Sequence, residues 1–333
     1  MTIVHPDTDA YAAALRGTVF TRFERGVLRA TGADRLDLLH RLSTNATRDL
    51  APGAETTTIL TSDKGRVVEV IRVLAFGDHL LLLLSGTATE QVRAWLDRYT
   101  IMDDFLTADA TADYALFGVY GERAKSLVSR ALSVDVPDAG GIGLGAHDAA
   151  VIRDARLTGP GGFLVVVPAN AAPDVAASLE AEGASSIDAG TYDVLRTEAG
   201  IPMVGRELTE SYNPLEAGLS QFISWTKGCY IGQEVIARLD TYDKVQRHLI
   251  GIVMDGGVEP AGDEALEVRN EEDGKKIGTV TSLAFSPAIG RTIGMAYVRT
   301  SFAVPGAHVA IAPAAEGSAA IGAATLTKLP FDR

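Results

Sequence analysis

Apolar positions along the chain change period several times, and each change predicts an element. Between Gly32 and Leu42, the leucines Leu36, Leu39 and Leu42 recur at three-residue steps with Leu38 beside them, the spacing of a helix with one face on a core. Ser43-Thr44-Asn45 ends that pattern. From Arg66 to Phe76 Val, Ile and Leu dominate, Gly77-Asp78 interrupts, and Leu80 to Leu84 follows, which predicts a hairpin of two buried strands. Thr87-Ala88-Thr89-Glu90 reads as a capping box, and Val92, Trp95, Leu96 and Tyr99 continue from it at helical spacing. A β-β-α unit of this kind fits a ferredoxin-like layer, in which a helix covers one sheet face.

Ala139 to Gly145 is rich in glycine but joins no clear strand to a clear helix, so it reads as a linker rather than a phosphate cradle. Phe163 to Val167 is a short buried strand ending at Pro168, and an alanine-rich helix starts near Pro173. After His248 the pattern becomes short apolar runs punctuated by glycine: Leu249–Met254, Ala265–Val268, Ile277–Phe285, Thr292–Val298, His308–Ile311 and Ala323–Leu329. With a hairpin turn at Asp273-Gly274, this spacing predicts a small C-terminal β-barrel.

Composition sets outer bounds on this picture. A chain of 333 residues that is 47% hydrophobic and 22% charged has core enough for two or three domains. No apolar run approaches the roughly 20 residues of a membrane span. Met1 to Tyr11 carries Asp7 and Asp9 and lacks the basic start and apolar stretch of a secretory signal, so a cytoplasmic protein is expected. A net charge of −13 disfavours nucleic acid, whose phosphates call for a basic face. Locally, Lys227, Arg238, Lys244 and Arg247 outnumber Glu234, Asp240 and Asp243, which makes either an anion-attracting island or a solvated loop of balanced charge. Cys229 is the only cysteine, so disulfides, Cys-rich zinc sites and a self-held iron–sulfur cluster are out of reach; the six histidines are scattered, and no metal is expected.

Candidate chemistry concentrates between Tyr192 and Arg247. On a helix, Val194, Leu195 and Glu198 share an inward face, and a carboxylate there is costly unless donors meet it. A ligand's paired N–H groups could be those donors, or the glutamate could cap a neighbouring element; Glu216, in Asn213-Pro214-Leu215-Glu216-Ala217-Gly218-Leu219, poses the same choice. Cys229 lies between two glycines, just upstream of the expected helix at Glu234, with Lys227 two residues away. Helix dipole and cation both favour a thiolate, which points to a nucleophile or a sulfur-exchanging group. The alternative is a small buried hydrophobe in a glycine turn.

The octet Lys227-Gly228-Cys229-Tyr230-Ile231-Gly232-Gln233-Glu234 resembles the full signature of the YgfZ-type folate-binding family, a relative of the glycine-cleavage aminomethyltransferase, or T-protein. Leu195-Arg196-Thr197-Glu198-Ala199-Gly200-Ile201-Pro202, Pro214-Leu215-Glu216-Ala217-Gly218-Leu219, Gly278-Thr279-Val280-Thr281-Ser282 and Leu329-Pro330-Phe331 are similar to family segments in the family's order, so the resemblance spans nearly the whole chain. It implies an α+β, aminomethyltransferase-like folate-binding fold with a ferredoxin-like layer and a C-terminal β-barrel. Residues 1–50 and 140–245 would form a discontinuous folate-binding domain, 51–139 the ferredoxin-like domain and 246–333 the barrel.

Tetrahydrofolate or a derivative is then expected in a central channel, held by Glu198 or Glu216, with Cys229 and Lys227 as the catalytic pair. Arg238 and Arg247 are assigned to the folate glutamate tail, with plain surface charge as the alternative. The T-protein has a catalytic aspartate after a double-glycine turn; here Lys64-Gly65-Arg66-Val67-Val68-Glu69 brings Glu69 to that region as a further folate contact. A longer side chain misplaces a carboxylate by over an ångström, enough to cost ~100-fold in rate. The T-protein's Leu-Tyr-Gly tyrosine is also replaced, by Val204, and the T-protein lacks the octet's cysteine, so aminomethyl transfer is in doubt. The resemblance implies a folate-binding factor for assembly or repair of iron–sulfur proteins, with those clients as transient partners; a folate-dependent one-carbon transferase is the alternative.

Overall fold

In a computed structural model, the structure describes residues 1–333 apart from 138, 257–263, 316 and 333. The chain opens with α1 (Thr8–Arg16), β1 (Thr18–Phe23), β2 (Val27–Thr31), α2 (Arg35–Leu42), β3 (Glu55–Thr61), β4 (Val67–Ala75) and β5 (Leu80–Leu84). It continues through α3 (Thr89–Tyr99), β6 (Leu106–Asp109), β7 (Tyr114–Gly121), α4 (Ala124–Leu132), β8 (Gly143–Leu144), β9 (Ala150–Asp154) and β10 (Gly162–Pro168). Next come α5 (Ala172–Ala181), β11 (Ala184–Ser186), α6 (Ala189–Glu198) and α7 (Gln233–Thr241). The last strands are β12 (Arg247–Met254), β13 (Leu266–Asn270), β14 (Lys276–Ser286), β15 (Arg291–Arg299), β16 (His308–Pro313) and β17 (Gly322–Thr327).

Two sheets stack face to face. One has the order β11-β1-β7-β10-β9-β8, the other β3-β4-β5-β2-β6. Between them, Val27, Leu74, Leu81 and Leu83 from the five-stranded sheet meet Leu116, Ile152, Leu164 and Val166 from the six-stranded one. The outer face of the six-stranded sheet is covered by α4 and α5 through Leu127, Val128, Val175 and Leu179. The outer face of the other is covered by α2 and α3 through Leu38, Leu39, Val92 and Leu96. Strands buried on both faces explain why β4, β5 and β10 read as continuous apolar runs rather than alternating ones.

Strands β12 to β17 close into a barrel of order β12-β15-β14-β13-β16-β17, filled by Ile252, Val268, Val280, Val298 and Ile311. Helix α6, buried on nearly all sides from Thr191 to Glu198, joins it to the sheets: Arg196 Nη2 donates to Ser282 Oγ at 2.8 Å and Nη1 to Glu207 Oε2 at 3.0 Å. Burying that guanidinium is tolerable because Asp193 also accepts from its Nε at 2.6 Å.

The hairpin β4–β5 and the six barrel strands fall where the apolar runs place them. The capping box does not form. Helix α3 starts at Thr89 behind Ala88 with no side-chain cap, so Thr87 lies one residue outside the cap position, and Glu90 pairs with Arg93 at 3.0 Å rather than reaching back. The glycine-rich stretch connects α4 to β9, and it also bonds to the edge of β3, where Glu55 N–H donates to Gly140 C=O at 2.8 Å. No helix among the described residues is long and apolar enough to cross a membrane.

Candidate functional site

A channel of about 1670 Å³ opens where the two sheets diverge, above the roughly 300–1,000 Å³ of sites for drug-sized ligands. Its walls are Thr21, Phe23, Tyr120 and Asp154 from the six-stranded sheet, Val70, Arg72, Ser85 and Gly86 from the β4–β5 side, the segment Ala199–Gly205, and Leu249 at the start of the barrel. The hairpin β4–β5 and the turn after α6 thus meet across one space.

Glu69 sits against this wall. A bulge in the β3–β4 pairing, between Leu60 and Thr61, falls immediately before it; bulges recur beside functional sites because they re-aim side chains. Its Oε1 accepts from Val70 N at 2.9 Å and Ser85 N at 3.2 Å, and the residue is 1% exposed. Burial pushes its carboxyl up to about 7, against the pull of those amides and of the Arg25 charge. A β-carbon at Gly86 would lie 2.9 Å from Val204 Cγ1 and 3.5 Å from Glu69 Oε2, so glycine keeps open the space between Val204 and the carboxyl.

The far end of the channel is polar. Tyr120 Oη donates to Asp154 Oδ2 at 2.7 Å and Arg72 Nη1 to Asp154 Oδ1 at 3.0 Å. The Arg72 guanidinium also lies 3.7 Å from Glu55, whose carboxyl is raised by burial. Arg25 stacks on Phe23, its guanidinium carbon 3.8 Å from the ring centroid. Burial opposes the Arg25 charge, but Tyr192 and Asp154 outweigh it and the group is held above its ordinary value. None of this cluster was singled out from sequence. The available signal was Arg72, a charge that shares a largely apolar strand with Glu69.

The acids expected to hold a ligand bind protein groups. Glu198 Oε1 accepts from the Tyr11 and Ser286 hydroxyls, both at 2.6 Å, which ties α6 to α1 and the barrel. That interaction and burial push the Tyr11 hydroxyl up to about 12, burial first. Glu216 Oε2 accepts from Asn213 N at 3.1 Å and lies 3.3 Å from Arg66, while Oε1 lies 3.4 Å from Arg247 Nε. Neither glutamate lines the channel. Arg247 is half-buried and also lies over the Tyr212 ring, and Arg238 is exposed on α7.

The octet departs most from expectation. Cys229 is neither in the channel lining nor buried; it is exposed four residues before α7. Lys227 Nζ donates to the carbonyls of His40, in the last turn of α2, and of Ser43 (2.5 Å) and Asn45 (2.9 Å), in the segment that leaves it. Burial, then Arg48, lower its pKa to about 8. Thr61 Oγ1 donates to Ile231 C=O at 2.6 Å. At Gly232 (φ +81°), a β-carbon would meet Ser62 O at 2.5 Å and Gly65 Cα at 2.9 Å. The octet therefore fastens the end of α2 to the β3–β4 turn, and only a glycine permits that approach.

Comparison with known proteins agrees with this architecture. A model described as the GCVT N-terminal domain matches residues 19–227, and one described as the glycine cleavage T-protein C-terminal barrel domain matches 247–332. An aminomethyltransferase of Anoxybacillus flavithermus is 29% identical over 303 residues, 87% of this chain and 81% of its own. A chloroplastic protein of Arabidopsis thaliana, described as a candidate transferase, is 28% identical over 314 residues, 92% and 71% of the two chains. Among solved structures, the glycine cleavage system aminomethyltransferase T from Bartonella henselae shares the fold at a TM-score of 0.81 and 17% identity, covering 97% of this chain and 89% of that one. Two domain matches that together span most of the sequence place this chain in the glycine cleavage T-protein family.

Proposed function

We propose that this protein is a reduced-folate-dependent one-carbon transferase working in the channel between the sheets. The observation that carries the reading is Glu69: a carboxyl just behind the channel wall, held near neutrality by burial, with only a glycine, Gly86, between it and Val204 of the channel lining. Near pH 7 such a group is about half protonated, the condition in which a carboxyl can both give and take a proton. The channel's volume of about 1670 Å³ and its largely apolar lining suit a pterin with its aryl extension, and the protein's own groups fit that use. Val70, Leu249 and Val204 offer apolar walls, and Ser85 and Gly86 fix the Glu69 carboxyl by backbone contacts. Reduced folate supplies the nitrogen that accepts the one-carbon unit. Glu69 would hold the proton that a departing amine takes up, and the stacked sheets would exclude water from the exchange. The test is titration of the purified protein with 5-formyltetrahydrofolate and an assay for one-carbon transfer from an aminomethyl donor. Saturable folate binding by wild type, and turnover that is lost in Glu69→Gln while folate still binds, are expected; a wild-type protein that binds no folate sinks the reading.

The octet supports a second reading, a YgfZ-type factor that maintains iron–sulfur proteins. In that case the exposed Cys229 would face client proteins at the surface rather than the folate. Rescue of iron–sulfur enzyme activity in a deletion strain by wild type but not by Cys229→Ser is the expected result.

A further inference from the structure

The five-stranded sheet ends on an open edge. Its outermost strand, β6, pairs only with β2, so one side of it has no strand partner among the described residues. Just past the strand, Ala110 N–H donates to Val27 C=O at 2.9 Å, and the antiparallel alternation counted from that pair turns the backbone N–H and C=O of Thr107 and Asp109 to the open side. The Thr107 side chain is buried, yet its hydroxyl has no hydrogen-bond partner among the described residues. Where the chain enters this strand it exposes three large apolar side chains within six residues: Ile101 (85%), Met102 (95%) and Leu106 (68%). The connection that carries them is tied down, since Asp103 accepts from Arg41 on α2 and Asp104 N–H donates to Asp34 Oδ2 at 2.8 Å. Arg41 also reaches the octet, its C=O accepting from Ile231 N–H at 3.3 Å.

Charge says what kind of chain fits this edge. From Asp97 to Asp113 five aspartates stand against one arginine, Arg98, and of the five only Asp103 has an ion-pair partner within 4.0 Å among the described residues. Charges at a sheet edge commonly guard it against strand addition. A guarded edge does not call for exposed apolar groups, and Ile101 and Met102 are almost fully exposed. A second copy of this chain is a poor occupant, because a two-fold pairing of β6 with itself brings two acidic segments together. We propose that the β6 edge, with Ile101 and Met102 at its start, docks an extended segment of a partner protein in which basic and apolar residues alternate, added to the sheet as a further strand. Main-chain bonds to Thr107 and Asp109 set the register, apolar side chains of the segment cover Ile101, Met102 and Leu106, and its lysines or arginines meet the aspartates. The edge lies outside the channel lining, so the proposal does not depend on the chemistry there. Through Arg41 the docked segment neighbours the octet, on which Cys229 is exposed.

The test uses the full-length protein and a fluorescent peptide of alternating lysine and valine, about ten residues long, the upper end of strand lengths. Its controls are an isomer with all the lysines before the valines, and a version with glutamate in place of lysine. Fluorescence anisotropy should show saturable binding of the alternating peptide, at least ~10-fold tighter than the block isomer, as pairing in a fixed register requires, and none of the glutamate version. With the alternating peptide at saturation, amide hydrogen exchange should slow at least ~10-fold at Thr107 and Asp109 and stay unchanged in β3, the strand at the opposite edge. Met102→Asp, at an exposed position, should weaken the alternating peptide at least ~10-fold with the melting temperature unchanged. Equal binding of the two isomers would mean charge attraction alone and overturns the proposal. So does the absence of saturable binding, protection that appears elsewhere than at β6, or full affinity in Met102→Asp. Self-association of wild type that Met102→Asp abolishes overturns it too, giving the face to a second copy.

Discussion

Two regions of this molecule contrast sharply: the octet from Lys227 to Glu234, eight adjacent residues, and the channel wall, where Arg25, Gly86 and Asp154, with Glu69 behind Gly86, come from four different strands or strand ends. The octet looks like a reactive site in one dimension and makes structural bonds in three. Lys227 gathers three carbonyls at a helix end, and Gly232 touches Gly65. The wall carries no motif, yet a carboxyl pushed up to about 7 lies behind it and an arginine stacked on Phe23 lines it. A contiguous signature can record a packing constraint, because close backbone approach admits very few residues. A proton-handling site can be assembled from any strands that happen to converge.

The comparison breaks first at Glu69. If the wall is the working site, Glu69→Gln should lower one-carbon transfer by about 10² to 10⁴, the usual contribution of a positioned acid or base, while folate still binds. In wild type the rate should fall as pH rises through about 7, where Glu69 loses its proton, and the Gln variant should lack that limb. The same group predicts a stability effect. The folded carboxyl titrates near 7 and the unfolded one near 4.5, so the native state binds more protons between those values and stability falls as pH rises through that window. The loss should be about 3 kcal/mol for a shift of this size, seen as a difference between denaturant midpoints of wild type and Glu69→Gln at pH 5 and pH 8.

Lys227→Met tests the other region. It removes the lysine donor from three carbonyl groups in and just past the last turn of α2, and each buried acceptor left without a donor costs about 1–3 kcal/mol, partly recovered where water can enter. A net loss of about 2–3 kcal/mol in chemical denaturation is expected, with folate affinity of the folded protein little changed. A full-stability variant that is dead in transfer would return Lys227 to the chemistry. Gly86→Ala is milder: the added methyl crowds Val204, a mobile side chain, and narrows the approach to Glu69. Folate affinity should weaken about tenfold, with a melting temperature close to wild type.

What could be read ahead of the structure follows from range of interaction. The barrel strands and the β4–β5 hairpin were legible because burial on a sheet face leaves a local period in the sequence, as at Ile277 to Phe285. The capping box at Thr87 does not form because the helix starts one residue later than the motif places it, behind Ala88, and Glu90 pairs with Arg93 instead of reaching back. Glu69 was visible as a carboxylate in the right stretch, but its pKa depends on burial by elements up to Val204. Arg25 was invisible, since nothing around Gly26 announces a bond to Gly86. Glu198 was correctly seen as an inward acid needing donors, yet the hydroxyls that supply them lie 187 and 88 residues away.

Cys229→Ser should have the smallest effect, and for that reason it discriminates most cleanly. The thiol is exposed and outside the channel lining, so oxygen for sulfur removes no packed volume and should change stability by less than about 0.5 kcal/mol. Folate affinity and transfer rate should match wild type within error. A tenfold loss of transfer would mean that the loop before α7 moves Cys229 to the channel during the reaction, and the octet would become part of the site. Unchanged transfer combined with lost rescue of iron–sulfur enzymes would divide the molecule in two: a folate chemistry inside, depending on Glu69, and a surface thiol reading partners outside. Wild-type behaviour in both assays would leave the octet as what its hydrogen bonds describe, a fastening between a helix end and the hairpin turn that leads into Glu69.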